Sequence, residues 1–207
     1  MMKRAFLKQT IRINVPDVQE VTIHKVHYKI NSIIGIGMNG SVFLATDTTN
    51  NRLVAMKWIE VQDDLEHVKE IENELECLRR LQKHCNQYIL CYIDSDIVTI
   101  EENINDDKTI YTNYYVIITK FLEGYITWKL FKKKYPERSK ERKEALENIQ
   151  QGLRSIHGKK IAHGDVHSEN VLIHPETLDI RWIDFGRCII DPSPSILEQD
   201  LENLYNL

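Results

Sequence analysis

Two short stretches near the C-terminal end gather the residues best suited to handle charge. They are His163-Gly164-Asp165-Val166-His167-Ser168-Glu169-Asn170 and Ile183-Asp184-Phe185-Gly186. Asp165 and Asn170 fall in a polar loop before an apolar strand signal, and Asp184 closes the next one. Two carboxylates and an amide converging at strand ends suit a hard cation, which takes oxygen ligands. The spacing of His163 and His167 also fits a transition metal, but nothing nearby completes such a site. One ring packed structurally and the other lining a cleft is the plainer reading.

Two further motifs lie upstream. Val54-Ala55-Met56-Lys57 puts a lysine inside an apolar strand, where a carboxylate partner would turn it into a fixed cation for phosphates. Taken alone, such a lysine reads more simply as a solvated face residue. Glu70, Glu72, Glu74 and Glu76 are candidate partners, and Glu74 stands just before the leucines that seat its helix. Gly35-Ile36-Gly37-Met38-Asn39-Gly40-Ser41-Val42 is followed by alternating strand residues rather than a helix, which excludes a dinucleotide-binding fingerprint. No lysine follows Gly40, which excludes a Walker A loop. What remains is a strand–turn–strand flap whose backbone can lie over phosphates, or an ordinary glycine hairpin.

The elements that must position these residues follow from periodicity. Residues 28–36, 41–47 and 52–61 read as three strands, with Val42 and Leu44 on one face and Phe43 and Ala45 on the other. Residues 63–84 form a helix carrying Leu65, Val68, Ile71, Leu75, Leu78 and Leu81 at three- and four-residue steps, with Asp63 or Asp64 as N-cap. Residues 88–92 and 114–121 read as strands around an acidic insertion at 94–108, a loop or a long hairpin. A second helix spans 137–157, with Ala145, Ile149, Leu153 and Ile156 in one stripe, and a small hairpin follows at 171–174 and 180–183. Asp200-Leu201-Glu202-Asn203-Leu204 begins a final helix. This order is α+β and not alternating βαβ.

Taken together, the four motifs resemble the protein-kinase signature set in order and approximate spacing: glycine-rich loop, V-A-I-K lysine, H-R-D-x-x-x-x-N loop and D-F-G. The resemblance covers roughly residues 30–190. It implies a bilobal fold, with an N-terminal extension at 1–27, a β-rich N-lobe at 28–121 and a shortened, mainly helical C-lobe at 122–207. It also implies ATP and Mg2+ as cofactors and a protein as phosphate acceptor. By this likeness Lys57 held by Glu74 orients phosphates, Asp165 orients the attacking hydroxyl, His167 contacts the γ-phosphate, and Asn170 and Asp184 hold magnesium. The same likeness assigns Ile34, Gly35, Gly37, Gly40, Val42, Ala55, Thr119, Lys120, Leu122 and Leu172 to the nucleotide, with Thr119-Lys120-Phe121-Leu122-Glu123-Gly124 as the hinge and Thr119 as gatekeeper.

The departures carry information too. Gly164 stands where most eukaryotic protein kinases have arginine and His167 where they have lysine, and there is no A-P-E motif. The H-G-D-x-H-x-x-N loop is similar to those of aminoglycoside, choline and lipopolysaccharide kinases. The short segment after Asp184 is similar to the minimal kinases of tRNA threonylcarbamoylation and to compact kinase-like proteins of large DNA viruses. Three readings stay open: a compact Ser/Thr protein kinase, a small-molecule kinase, and a non-catalytic nucleotide-binding scaffold. Ser193 and Ser195 are the only hydroxyl side chains in the short segment, beside Pro192 and Pro194, so activity without loop phosphorylation is expected.

Composition bounds the rest. The chain has 207 residues, 42% hydrophobic and 28% charged, with a net charge of −4. That fits a globular domain and offers no general attraction to nucleic acid or anionic lipid. No apolar run reaches the roughly 18 residues a membrane span needs. The basic run Lys129, Lys132, Lys133, Lys134, Arg138, Lys140, Arg142 and Lys143 reads either as a solvated helix face or as a docking patch for an acidic partner or RNA. Cys77, Cys85, Cys91 and Cys188 form no C-x-x-C pair, so the expectation is a reducing, cytoplasmic setting, extended by the viral likeness to an infected host cell.

Overall fold

Alternating apolar residues build the first half of the chain as one curled sheet. In the computed structural model, which describes residues 18–37, 40–83, 85, 88–105 and 108–207, six strands hydrogen-bond in the order β1-β2-β3-β4-β6-β5. They are β1 (Glu20–Ile23), β2 (Val26–Gly37), β3 (Gly40–Asp47), β4 (Arg52–Glu60), β5 (Tyr92–Asn105) and β6 (Lys108–Lys120), with helix α1 (Leu65–Gln82) between β4 and β5. Residues 1–17 and the tip of the glycine turn at 38–39 lie outside the described residues. β1 adds an edge strand to the sheet and buries Val21 and Ile23. The far edges approach each other where His24 Nδ1 meets Asp94 Oδ2 at 2.9 Å.

This curl gives the sheet two apolar faces. Phe43, Ala45, Val54, Met56, Trp58, Tyr114, Val116 and Ile118 fill a core on one face with Val21, Ile23 and Tyr28. On the other, Ile59 and Ile117 join α1 in a larger core that continues into the second half of the chain. α1 is seated there by Ile71, Leu75, Leu78 and Leu81, each worth roughly 1.5–3 kcal/mol when fully buried. Its N-cap is Asp64, whose carboxylate accepts from the Glu66 amide at 3.0 Å.

The acidic insertion is the long hairpin of β5 and β6, paired from Tyr92↔Thr119 to Asn105↔Lys108. The strand expected at 88–92 is not formed. Only Ile89 bridges to Trp182, and β5 starts at Tyr92. Ile89 is fully buried, so its apolar signal reports core packing rather than a strand.

The second half is mainly helical, with β7 (Ile126–Thr127), α2 (Trp128–Lys134), α3 (Lys140–His157), β8 (Ile161–Ala162), β9 (Val171–Ile173), β10 (Ile180–Trp182), β11 (Ile189–Ile190) and α4 (Pro194–Asn203). α3 carries the predicted stripe Ala145, Ile149, Leu153 and Ile156, all buried, and starts at Lys140 because Ser139 caps it through the Arg142 amide. α2 was absent from the periodicity: at seven residues it buries only Trp128 and Phe131, too few to repeat. α4 begins at Pro194, so Asp200 lies inside it rather than at its start. The fold is α+β as expected, a sheet-rich first part and a mainly helical second. No helix among the described residues is long and apolar enough to cross a membrane.

Three residues of the basic run make contacts that tie them down, while most of the run is exposed. Lys129 pairs with Glu169 at 2.9 Å, the Lys132 ammonium donates to the Leu207 carbonyl, and Arg142 lies over the Trp128 ring. Burial, with help from Arg142, lowers the Lys132 pKa.

Candidate functional site

Strand alternation decides which residues of β4 face the cleft. Val54, Met56 and Trp58 are buried in the sheet core, so Ala55 and Lys57 point the other way. Register places Lys57 beside Val42 of β3 and Ile117 of β6, and Ala55 beside Thr119. Across from them, α1 turns Glu74 inward between buried Ile71 and Leu78. Lys57 Nζ donates to both Glu74 oxygens at 2.9 Å and to Asp184 Oδ1 at 3.0 Å. Of the candidate glutamates, Glu74 is the partner, and its side chain is 6% exposed.

Burial alone would discharge this cluster, but its charges hold one another. Desolvation pushes the Lys57 pKa down, and the carboxylates of Glu74 and Asp184 more than reverse that, leaving it raised. Asp184 is pushed up by burial and pulled further down by Lys57 and by the Gly186 amide, ending below the ordinary carboxylate value. Asp184 also sits at φ +60°, a left-handed conformation that aspartate tolerates better than most residues, at about 1–3 kcal/mol.

The loop bearing Asp165 is built on a buried histidine. His163 is fully buried, its ring 4.9 Å from that of Trp182 and 5.0 Å from that of Phe185. The Asp165 amide can only donate, so His163 Nδ1 accepts from it at 3.3 Å, and Nε2 carries the proton it gives to the Ile183 carbonyl at 3.0 Å. Burial depresses the imidazole pKa, in keeping with that neutral tautomer. One ring thus ties the loop of Asp165 to the residue preceding Asp184.

Asn170 braces the same loop. Its Nδ2 donates to the Asp165 carbonyl and to Asp165 Oδ2, both at 3.0 Å, and its own carbonyl accepts from the Ile183 amide at 3.0 Å. The amide nitrogen is thereby engaged, and Asn170 Oδ1 makes no hydrogen bond among the described residues. His167 Nδ1 accepts from the Glu169 amide at 3.2 Å, which turns Nε2 toward Asp165 Oδ2 at 3.3 Å.

Of the other residues singled out in the sequence, register sets Val42 beside Lys57 and Thr119 beside Ala55. Gly35 and Gly37 lie on β2 and Gly40 opens β3, with Gly37 opposite Gly40 across the turn. Gly40 has φ +137°, and a Cβ there would collide with the Trp58 carbonyl, so no other residue fits. Val42, Ala55, Leu122 and Leu172 are half-buried, Thr119 is buried, Ile34 and Lys120 are exposed.

Three features rest on contacts that local sequence spacing does not encode. Asp200, buried in α4, accepts from the amides of His163 (2.6 Å) and Gly164 (3.0 Å) and from His157 Nε2 (3.0 Å). It holds the loop from behind. Gly164 has φ +76°, and a Cβ there would collide with the Arg187 carbonyl, so the glycine admits the chain crossing behind the loop. That crossing brings Arg187 Nη1 to 3.6 Å from Asp165 Oδ1. Finally, the cysteines are paired, Cys77 of α1 with Cys188 across 111 residues and Cys85 with Cys91. This departs from the free thiols implied by a reducing setting, and spacing alone could not reveal it.

A charge-paired lysine and two aspartates, one of them braced, with a glycine turn joining the two neighbouring strands, suit phosphate chemistry. Comparison with known proteins agrees. Residues 28–197 match the family model for the protein kinase domain. Similar proteins include the mitogen-activated protein kinase kinase kinase nsy-1 of Caenorhabditis elegans, 27% identical over 75% of this chain and 10% of its own length. The serine/threonine-protein kinase pakC of Dictyostelium discoideum is 30% identical over 77% of this chain and 30% of its own. Cyclin-dependent kinase D-1 of Arabidopsis thaliana is 30% identical over 81% of this chain and 38% of its own. The chain therefore spans well under half the length of each. With the family model matching most of it, the chain belongs to the protein kinase domain family.

Proposed function

We propose that this domain transfers the γ-phosphate of ATP to a serine or threonine hydroxyl of a protein substrate. The observation that carries the reading is the three-way contact of Lys57 with Glu74 and Asp184, next to an Asp165 whose Oδ2 is fixed by Asn170. Phosphoryl transfer asks a protein mainly for positioning and charge neutralisation, because the transition state is loose and spread over oxygens. Lys57, kept rigid by Glu74, orients the α- and β-phosphates. Gly35, Gly37 and Gly40 let the flap backbone approach them, and Val42, Ala55 and Leu172 flank the base. Asp165 orients the acceptor hydroxyl and takes its hydrogen bond, while His167 stands where it can meet the γ-phosphate.

The Asp184 carboxylate and the Asn170 amide oxygen are a fitting donor set for Mg2+, which takes few protein oxygens and completes its shell with phosphate and water. Bound there, the ion would neutralise phosphate charge. Among the described residues no larger group of His, Cys, Asp or Glu competes for it. Gly164, which by sequence likeness also suited a small-molecule kinase, has a separate cause here in the close passage of Arg187.

The test is nucleotide binding by titration calorimetry with and without MgCl2. Wild type should bind ATP more tightly with magnesium, and Asp184→Asn should lose that increment while keeping its fold. An equal magnesium gain in the mutant would remove Asp184 from the role.

A further inference from the structure

We propose that the acceptor side of this site selects a protein segment carrying carboxylates next to the hydroxyl, with Arg187 as the specificity residue. The inference rests on the phosphoryl-transfer reading above and names its substrate class.

The two oxygens of Asp165 differ. Oδ2 receives Asn170 Nδ2 at 3.0 Å and faces His167 Nε2 at 3.3 Å. Oδ1 has no hydrogen-bond partner among the described residues, and its nearest cation, Arg187 Nη1, stands at 3.6 Å, too far to bond it. An arriving hydroxyl therefore meets Oδ1, and it meets Arg187 at the same place.

Arg187 is held there by its backbone. Its carbonyl packs against Gly164, and the next residue, Cys188, is tied to α1 by the disulfide to Cys77 and by Asn73 Nδ2 donating to the Cys188 carbonyl at 2.5 Å. The side chain itself is 65% exposed, so the guanidinium borders Asp165 while most of its donor fork faces solvent. A guanidinium stays charged at any working pH and matches a carboxylate with two parallel hydrogen bonds.

The surroundings repeat that sign. An open groove of about 610 Å³ runs from Arg187 along α1, lined by Lys69, Glu70, Asn73, Gly186, Arg187 and Cys188, two cations against one carboxylate. On the far side of the loop, Glu169 would be the natural partner for a basic substrate residue, but Lys129 already pairs with it at 2.9 Å. A basic flank would meet Arg187 and Lys69 with like charge. An acidic flank finds Arg187 with donors to spare.

The test uses serine and threonine peptides with one core and acidic, alanine or basic flanks, with kcat and KM measured separately. Wild type should show a KM about tenfold lower for the acidic than for the alanine flank, or about 1.4 kcal/mol, and a higher KM for the basic one. The gap should narrow between about 0.05 M and about 0.3 M salt as exposed charges are screened. Arg187→Glu should invert the order of flanks, and Arg187→Lys should keep its sign. A wild-type preference for basic flanks, or an unchanged order in Arg187→Glu, overturns the inference and leaves the transfer reading standing. No transfer to any peptide overturns both.

Discussion

Removing the Asp200 carboxylate should cost a large part of the domain's stability. Its side chain is 4% exposed and accepts from two backbone amides of the Asp165 loop and from His157. Asp200→Ala strips these donors of their partner inside the core. Each orphaned buried donor costs about 1–3 kcal/mol, and neighbouring losses do not add fully, so a total of roughly 3–5 kcal/mol follows. For a chain of this size that lowers Tm by roughly 10 °C. Urea unfolding of wild type, Asp200→Ala and Asp200→Asn at neutral pH measures it, with the amide intermediate because it retains one acceptor oxygen. The pH dependence has a fixed sign. Burial raises the Asp200 pKa, but the hydrogen bonds from His157, Gly164 and His163 outweigh it and leave the pKa lowered from 3.8. The carboxylate's contribution is therefore fully present above its unfolded value and is lost as pH falls through its lower folded value. The gap between wild type and Asp200→Ala should stay constant down to about pH 4 and close below it. A gap under about 1 kcal/mol at neutral pH, or one that widens on acidification, would refute the role given to Asp200.

Further expectations concern the cleft and the covalent links. Lys57→Met should abolish transfer and, by leaving Glu74 buried without its cation, lower stability by about 3–5 kcal/mol in the same urea assay; unchanged stability would mean the pair is not formed. Gly164→Ala should destabilise by about 2 kcal/mol or more, since its Cβ would collide with the Arg187 carbonyl at positive φ; a neutral substitution would show that the chain crosses the loop elsewhere. Thiol titration of the unfolded, unreduced protein should find no free cysteine, and Cys188→Ser should lose about 2–5 kcal/mol; 4 titratable thiols would contradict the pairing.

The sheet and the two long helices were legible because each has a repeating apolar face, period two in β3 and near 3.6 in α1 and α3. Short α2 has no room for a repeat, and Ile89 resembles a strand residue because a core residue and a strand residue share one apolar signal. Within the site, Lys57, Glu74, Asp165, Asn170 and Asp184 are expected from motif order, and the structure joins Lys57 to Glu74 and Asp184, and Asn170 to Asp165. The partners of Arg187 and Asp200 are backbone amides, an imidazole and a carboxylate more than 20 residues away, pairings no local spacing encodes. Gly164 was noticed as a departure, yet its cause, a chain crossing behind the loop, is visible only in three dimensions.

The most direct test of the central claim is transfer of label from γ-labelled ATP, with MgCl2, to serine- and threonine-containing proteins, comparing wild type with Asp165→Asn. Wild type should label protein hydroxyls, and Asp165→Asn, whose amide cannot take the hydroxyl proton, should fall by at least a hundredfold, the lower range for a positioned general base. Equal labelling by the two proteins, or no labelling by folded wild type, would contradict it.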